Sequence, residues 1–165
     1  MTLDLKRIFA IDNSQLDICG DLDMSDVDYA GGFPLKKPVH YCGVVLNRAS
    51  VVTLKLDIDF EFTAPCDRCG VVASECHRVT IEKSLATSLQ RQESDTIIVV
   101  SDMRLDVDGL VYTEVILNMP SKHLCKEDCK GLCFKCGKNL NEGECGCDTG
   151  YRDPRFDKLR ELLNN

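Results

Sequence analysis

A chain of 165 residues, 44% hydrophobic and 28% charged, has ordinary globular proportions and can bury one core without a staple. Its net charge of −7, from 27 acidic and 20 basic residues, disfavours phosphate binding as the main activity. No segment approaches the roughly 20 consecutive apolar residues of a membrane span, and no membrane partner is expected.

In chain order, Leu3 to Phe9 reads as a short strand and Asp12 to Asp28 as an acidic, irregular stretch. Gly31, Gly32, Pro34 and Pro38 mark a loop. His40 to Asn47 is a strand candidate, closed by a turn over residues 47–50. The clearest periodicity follows: Leu54, Leu56, Ile58, Phe60 and Phe62 alternate with Lys55, Asp57, Asp59 and Glu61, a strand with one dry and one wet face. Val71 to Ile81 reads as the next strand, joined through a short turn containing Cys66 and Cys69, and the three neighbours form an antiparallel meander. A further strand is expected at Thr96 to Val100 and a helix at Leu110 to Met119, ended by Pro120.

From Ser121 the composition turns to Cys, Lys, Gly and Asn, too polar to fold around its own core. A last short helix is expected after Asp153, a good N-cap, and Pro154, which suits the first helical position. The expected fold class is α+β. A β-rich body of antiparallel sheet occupies 1–120, and a cysteine-rich metal-binding segment with a terminal helix occupies 121–165. Charge divides along the same line. Residues 1–120 carry 11 basic and 19 acidic residues, a balance of −8, whereas 121–165 carry 9 and 8, a balance of +1.

Eleven cysteines, an odd number, fit poorly with a fully paired secreted scaffold, and the first ten residues hold no apolar run of signal-peptide length. A cytoplasmic metal protein is the expectation. Six of the cysteines fall at 125, 129, 133, 136, 145 and 147. Interleaved with Lys and Glu, they cannot all be core residues. Cys133 and Cys136 form a Cys-x-x-Cys turn followed by Gly137, a spacing that lets two thiolates reach one metal while backbone N–H groups bond to the sulfurs. A structural, tetrahedral zinc needs two more ligands. The downstream pair Cys145 and Cys147 is slightly favoured over Cys125 and Cys129, with a thiolate-bridged two-metal cluster also open. The spacing matches neither common ferredoxin run.

Cys66-Asp67-Arg68-Cys69-Gly70 is a second Cys-x-x-Cys turn with no partner pair near it in sequence. It is a candidate second metal site, completed by Cys76 and His77, or a tight turn with two packed cysteines. A thioredoxin-like role wants a strand-to-helix junction and is disfavoured between two antiparallel strands. Cys19 and Cys42 read as isolated core residues. No phosphate loop, nucleophile elbow or His-Glu-x-x-His pair is present, so no catalytic residue, small-molecule substrate or enzymatic activity is expected.

Pro120, Leu124-Cys125, Asp128 to Cys133, Cys136-Gly137, Asn139 to Asn141, Cys145 to Cys147 and Asp153 to Arg155 resemble, in that order, the C-terminal signature of the YceD family. These are the large ribosomal RNA subunit accumulation proteins of bacteria and plastids. Cys66 to Cys69 is similar to the family's Cys-x-Arg-Cys element. The resemblance covers roughly residues 54–163 and implies a role in the synthesis, processing or stability of large-subunit rRNA. Because some members lack the tail cysteines and keep the Cys-x-Arg-Cys element, it also draws attention to Asp67 and Arg68 as a functional turn.

The expectation is therefore a non-enzymatic ribosome-biogenesis factor whose acidic body meets a basic ribosomal protein or a precursor particle. Direct rRNA contact through Lys122, Lys126, Lys130, Lys135 and Lys138 is weakened by the interleaved Glu127, Asp128 and Glu142. The alternative is a cysteine-based redox or metal-sensing protein using Cys66 and Cys69 or spare tail thiols.

Overall fold

The computed structural model describes residues 1–87, 96–100 and 102–147. The long alternation in the middle of the chain becomes β4 (Val51–Pro65), the central strand of a five-stranded sheet ordered β2-β3-β4-β5-β6. Its neighbours β3 (Val39–Arg48) and β5 (Val72–Ala86) pair antiparallel with it, and β2 (Gln15–Leu22) pairs antiparallel with β3. The short β6 (Ile97–Val99) closes the other edge, parallel to β5. The expected meander is present. Ala49 and Ser50, both at positive φ, make the tight turn between β3 and β4. Asn47, expected in that turn, stays in β3 and is buried, its amide donating to the Ile8 and Ile11 carbonyls.

Val52, Leu54, Leu56, Ile58, Phe60 and Phe62 all point to the buried face of β4. Against them lies α2 (Val107–Asn118), whose Val107, Val111 and Val115 form a fully buried stripe at four-residue spacing. The helix expected from Leu110 thus begins three residues earlier, and its β-branched residues are the ones that face the sheet. Within it, Glu114 is buried and neutralised by Lys83 at 3.1 Å.

Two local expectations are corrected. The stretch read as a strand over Leu3 to Phe9 splits into β1 (Thr2–Asp4), paired with β7 (Arg104–Asp106), and a one-turn helix α1 (Lys6–Ala10). Leu5 and Ile8 are both buried at a three-residue spacing, which a helix satisfies and a strand does not. The stretch read as irregular over Asp12 to Asp28 contains strand β2. Leu16, Ile18 and Leu22 pack toward the core while Gln15, Asp17, Cys19 and Asp21 face out. Alternation was present there, but acids on the wet face disguised it.

Cys19 and Cys42 are likewise not core residues. They sit directly opposite each other in the β2–β3 register, on the outward face, and are joined as a disulfide. His40 lies beside the pair, its Nε2 3.4 Å from Cys42 Sγ and its Nδ1 2.8 Å from the Asp21 carboxylate. The helix expected after Asp153 lies outside the described residues. No helix among the described residues is long and apolar enough to cross a membrane.

Candidate metal centres

The turn between β4 and β5 and the turn at residues 133–137 have the same construction. In the first, the Cys66 N–H donates to the Val71 carbonyl at 2.9 Å and the Gly70 N–H returns to the Cys66 carbonyl at 2.8 Å. In the second, the Cys133 N–H donates to the Lys138 carbonyl and the Gly137 N–H to the Cys133 carbonyl, both at 2.8 Å. Gly70 and Gly137 follow the second cysteine at φ +71° and +72°, where only glycine is unstrained. Each turn therefore lifts two sulfurs onto one side of a hairpin tip.

Each pair of sulfurs meets a second pair. Cys66 and Cys69 converge with Cys125 and Cys129, while Cys133 and Cys136 converge with Cys145 and Cys147. Within each tetrad all four sulfurs lie within 4.8 Å of one another. Cys66 Sγ is 3.8 Å from Cys129 Sγ, and Cys69 Sγ is 3.6 Å from Cys125 Sγ. A tetrahedron with metal–sulfur bonds of about 2.3 Å has edges of about 3.8 Å, so the spacing fits a four-coordinate ion. Six tail thiols for one ion is two too many. The two apparent spares are shared with the body, 56 residues upstream in the Cys69–Cys125 pair. Cys76 and His77 join neither group: Cys76 is exposed opposite Glu61, and His77 stacks on Phe60.

The electrostatics point the same way. The Cys125 N–H is the main donor to Cys66 sulfur; with those of Arg68 and Cys69 it overcomes burial and draws the thiol down to about 6. The N–H groups of Cys136 and Lys135 draw Cys133 down to about 6. Burial and the neighbouring sulfurs of Cys69 and Cys129 push Cys125 up to about 12. Cys147, hydrogen-bonded by Cys136 and Cys145, is pushed up to about 12. Four thiolates cannot share so small a volume without a cation to offset their repulsion. Each tetrad is thus placed to hold a positive ion.

Asp67 and Arg68, the residues between the first two cysteines, hold the tail. The Asp67 carboxylate accepts from the His123 N–H at 2.8 Å, and the Asp67 N–H donates to the His123 carbonyl at 2.9 Å. Arg68 donates through Nη1 to the Cys129 carbonyl at 2.8 Å, and its own carbonyl accepts from the Leu132 N–H at 3.1 Å. His123, buried, closes the contact with its Nε2 3.1 Å from the Ala73 carbonyl. Beside this junction opens a cleft of about 550 Å³, lined by Tyr29, Phe33, Pro34, Phe62, Val72 and His123 among others. No local signal in the sequence marks His123 or this cleft, since both depend on the tail returning to the β4–β5 turn.

With this geometry, residues 54–163 match the family described as Large ribosomal RNA subunit accumulation protein YceD. The chain belongs to the YceD family. Both tetrads and the Asp67–His123 junction fall inside the matched span. The chain is 33% identical over 61 residues to the chloroplastic Large ribosomal RNA subunit accumulation protein YCED homolog 1 of Arabidopsis thaliana, a stretch covering 37% of this chain and 18% of the relative. An uncharacterized protein of Mycobacterium tuberculosis is 35% identical over 75 residues, covering 43% of this chain and 34% of its own length. One of Mycobacterium leprae is 29% identical over 109 residues, covering 61% and 50% respectively. The chain thus spans half or less of these relatives. No solved structure matches it.

Proposed function

We propose that this YceD-family chain supports the synthesis, processing or stability of large-subunit rRNA as a binding factor rather than an enzyme. It engages a ribosomal protein or a precursor particle and carries structural zinc in its two cysteine centres. The family match carries this reading. Charge supports the choice of partner: no Lys or Arg lies between Arg7 and Lys36, whereas six aspartates do, and β2 places Asp17 and Asp21 on the outward face at an edge of the sheet. An acidic edge favours encounter with the basic proteins that a ribosomal particle presents. The apolar cleft beside His123 offers contact area near the metal end.

All-sulfur tetrahedral donors suit zinc, and four protein ligands leave no open position for a reacting water, as in structural sites. Redox use of the Cys66 and Cys69 pair is disfavoured by burial: they are only 3% and 6% exposed, so neither offers its sulfur to an external disulfide.

The test is capture from a lysate at moderate salt with the full chain immobilised. Large-subunit ribosomal proteins or precursor rRNA are expected in the bound fraction. They should be depleted when Asp17, Asp21, Asp23 and Asp26 are replaced by Asn. Recovery of neither class would overturn the binding reading, and fewer than two zinc ions per purified chain would overturn the metal reading.

A further inference from the structure

We propose that Asn141 couples the two cysteine centres, so that closing the downstream tetrad around its metal completes the upstream one. This rests on the metal reading above. Asn141 belongs by sequence to the loop between Cys136 and Cys145, inside the downstream tetrad. Its side chain, however, serves the upstream one. Nδ2 donates to Cys129 Sγ at 3.3 Å, and Oδ1 accepts from the Lys130 N–H at 2.9 Å, so one amide grips the ligand and the peptide after it.

That amide is itself held in place. Asn139 Oδ1 accepts from both the Asn141 N–H (3.1 Å) and the Asn141 side-chain amide (2.8 Å), and Asn139 Nδ2 donates to Glu142 at 3.0 Å. The Leu140 N–H donates to the Gly131 carbonyl at 2.9 Å, and Leu132 and Asn139 form an isolated antiparallel bridge. The strap from Cys129 to Cys133 is therefore clamped on one side by Arg68 and on the other by the 139–142 turn. The loop that bears the turn is polar and packs few apolar groups. Its two ends are drawn together by the convergence of Cys136 and Cys145 in one tetrad, with Lys138 Nζ donating to the Glu144 carbonyl at 2.9 Å across the loop's base.

A metal downstream therefore pins the loop, and the pinned loop presents a donor to an upstream thiolate. Hydrogen bonds to metal-bound ligands from such outer partners are worth about 10–100-fold in affinity. Asn suits the position because it offers a donor to sulfur and an acceptor to the Lys130 N–H together. Asp would set a carboxylate against a thiolate, and Leu would fill the space with no donor.

The experiment is a double-mutant cycle on the full, zinc-loaded chain. Zinc is withdrawn by a competing chelator, and each cysteine's loss of protection is read by alkylation and peptide mass mapping. Asn141→Leu and the pair Cys145→Ser/Cys147→Ser should each expose Cys66, Cys69, Cys125 and Cys129 at roughly tenfold lower chelator. Combined, they should expose them at roughly the same tenfold, not at the product of the two effects. Multiplying effects, or an upstream centre indifferent to either change, would overturn the coupling while leaving two bound zinc ions intact. Loss of upstream protection in the cysteine variant with none in Asn141→Leu would also overturn it, because the link would then run through another group. A wild-type chain holding fewer than two zinc ions would sink the metal reading and the coupling together.

Discussion

Gly131 sits at φ +73°, and a Cβ added there would lie 3.0 Å from the Arg68 carbonyl oxygen. The position thus asks for glycine twice, once for backbone conformation and once for the approach of the tail to the β4–β5 turn. Gly137, at φ +72°, has nothing within 4 Å of an added Cβ and asks for glycine once. Gly131→Ala should therefore cost more than the about 1–2 kcal/mol of a left-handed non-glycine residue, and Gly137→Ala should cost no more than that. Limited trypsin cleavage of the tail orders the two, and equal losses would contradict the close approach. Tyr41 gives a second residue-scale expectation. It is 2% exposed and donates its O–H to the Asp108 carboxylate at 2.9 Å. Burial first, and Asp108 second, push its phenol up to about 12. Above pH 10 the unfolded phenol loses its proton while the folded one keeps it, so stability is full below pH 10 and falls as pH rises toward 12. Tyr41→Phe should flatten that part of the stability–pH profile, measured by denaturant unfolding, and an unchanged slope would count against the buried hydrogen bond.

At the scale of elements, the sheet and the cysteine centres have separate interiors. The main core runs through β2 to β5, α1 and α2, whereas Cys66, Cys69 and Cys129 form a small cluster of their own with Leu124 and Cys125 packed on it. The sheet's long pairings, above all β4 with β5, extend well away from the cysteine turn. Removing metal should therefore release the segment from about residue 121 onward and leave the body folded. Chelation of the full chain is expected to preserve the far-UV β signal while opening Lys126, Lys130 and Lys135 to trypsin. Cooperative loss of the sheet signal on chelation would show that the centres brace the body as well. The same separation predicts that Cys133→Ser loosens the distal turn and reaches the upstream centre only through Asn141, because its tetrad is drawn wholly from residues 133–147. Cys66→Ser should detach the tail from the body itself.

For the molecule as a whole, the distribution of charge sets the expected salt response. An acidic edge on β2 and exposed lysines at 122, 126, 130, 135 and 138 lie in different parts of the chain. If the acidic edge makes the productive contact, partner capture should weaken as salt rises and disappear first in the aspartate variants. The elements legible in the sequence were those whose evidence is local. The period-2 run at 54–62, the Cys-x-x-Cys-Gly turns and the motif string that marks the family can each be read within a short window, because backbone geometry and ligand reach act over a few residues. The sequence by itself thus determined a β-rich body, a thiolate-rich end and the family. Only the tertiary structure decided how eight thiols divide into two tetrads, since Cys66 and Cys69 meet Cys125 and Cys129 only after the β4–β5 hairpin and α2 have carried the tail back. It alone set Cys19 opposite Cys42, through strand register, and Asn141 against Cys129, through the return of a loop. Which sulfur faces which is a matter of non-local packing, and spacing along the chain does not encode it.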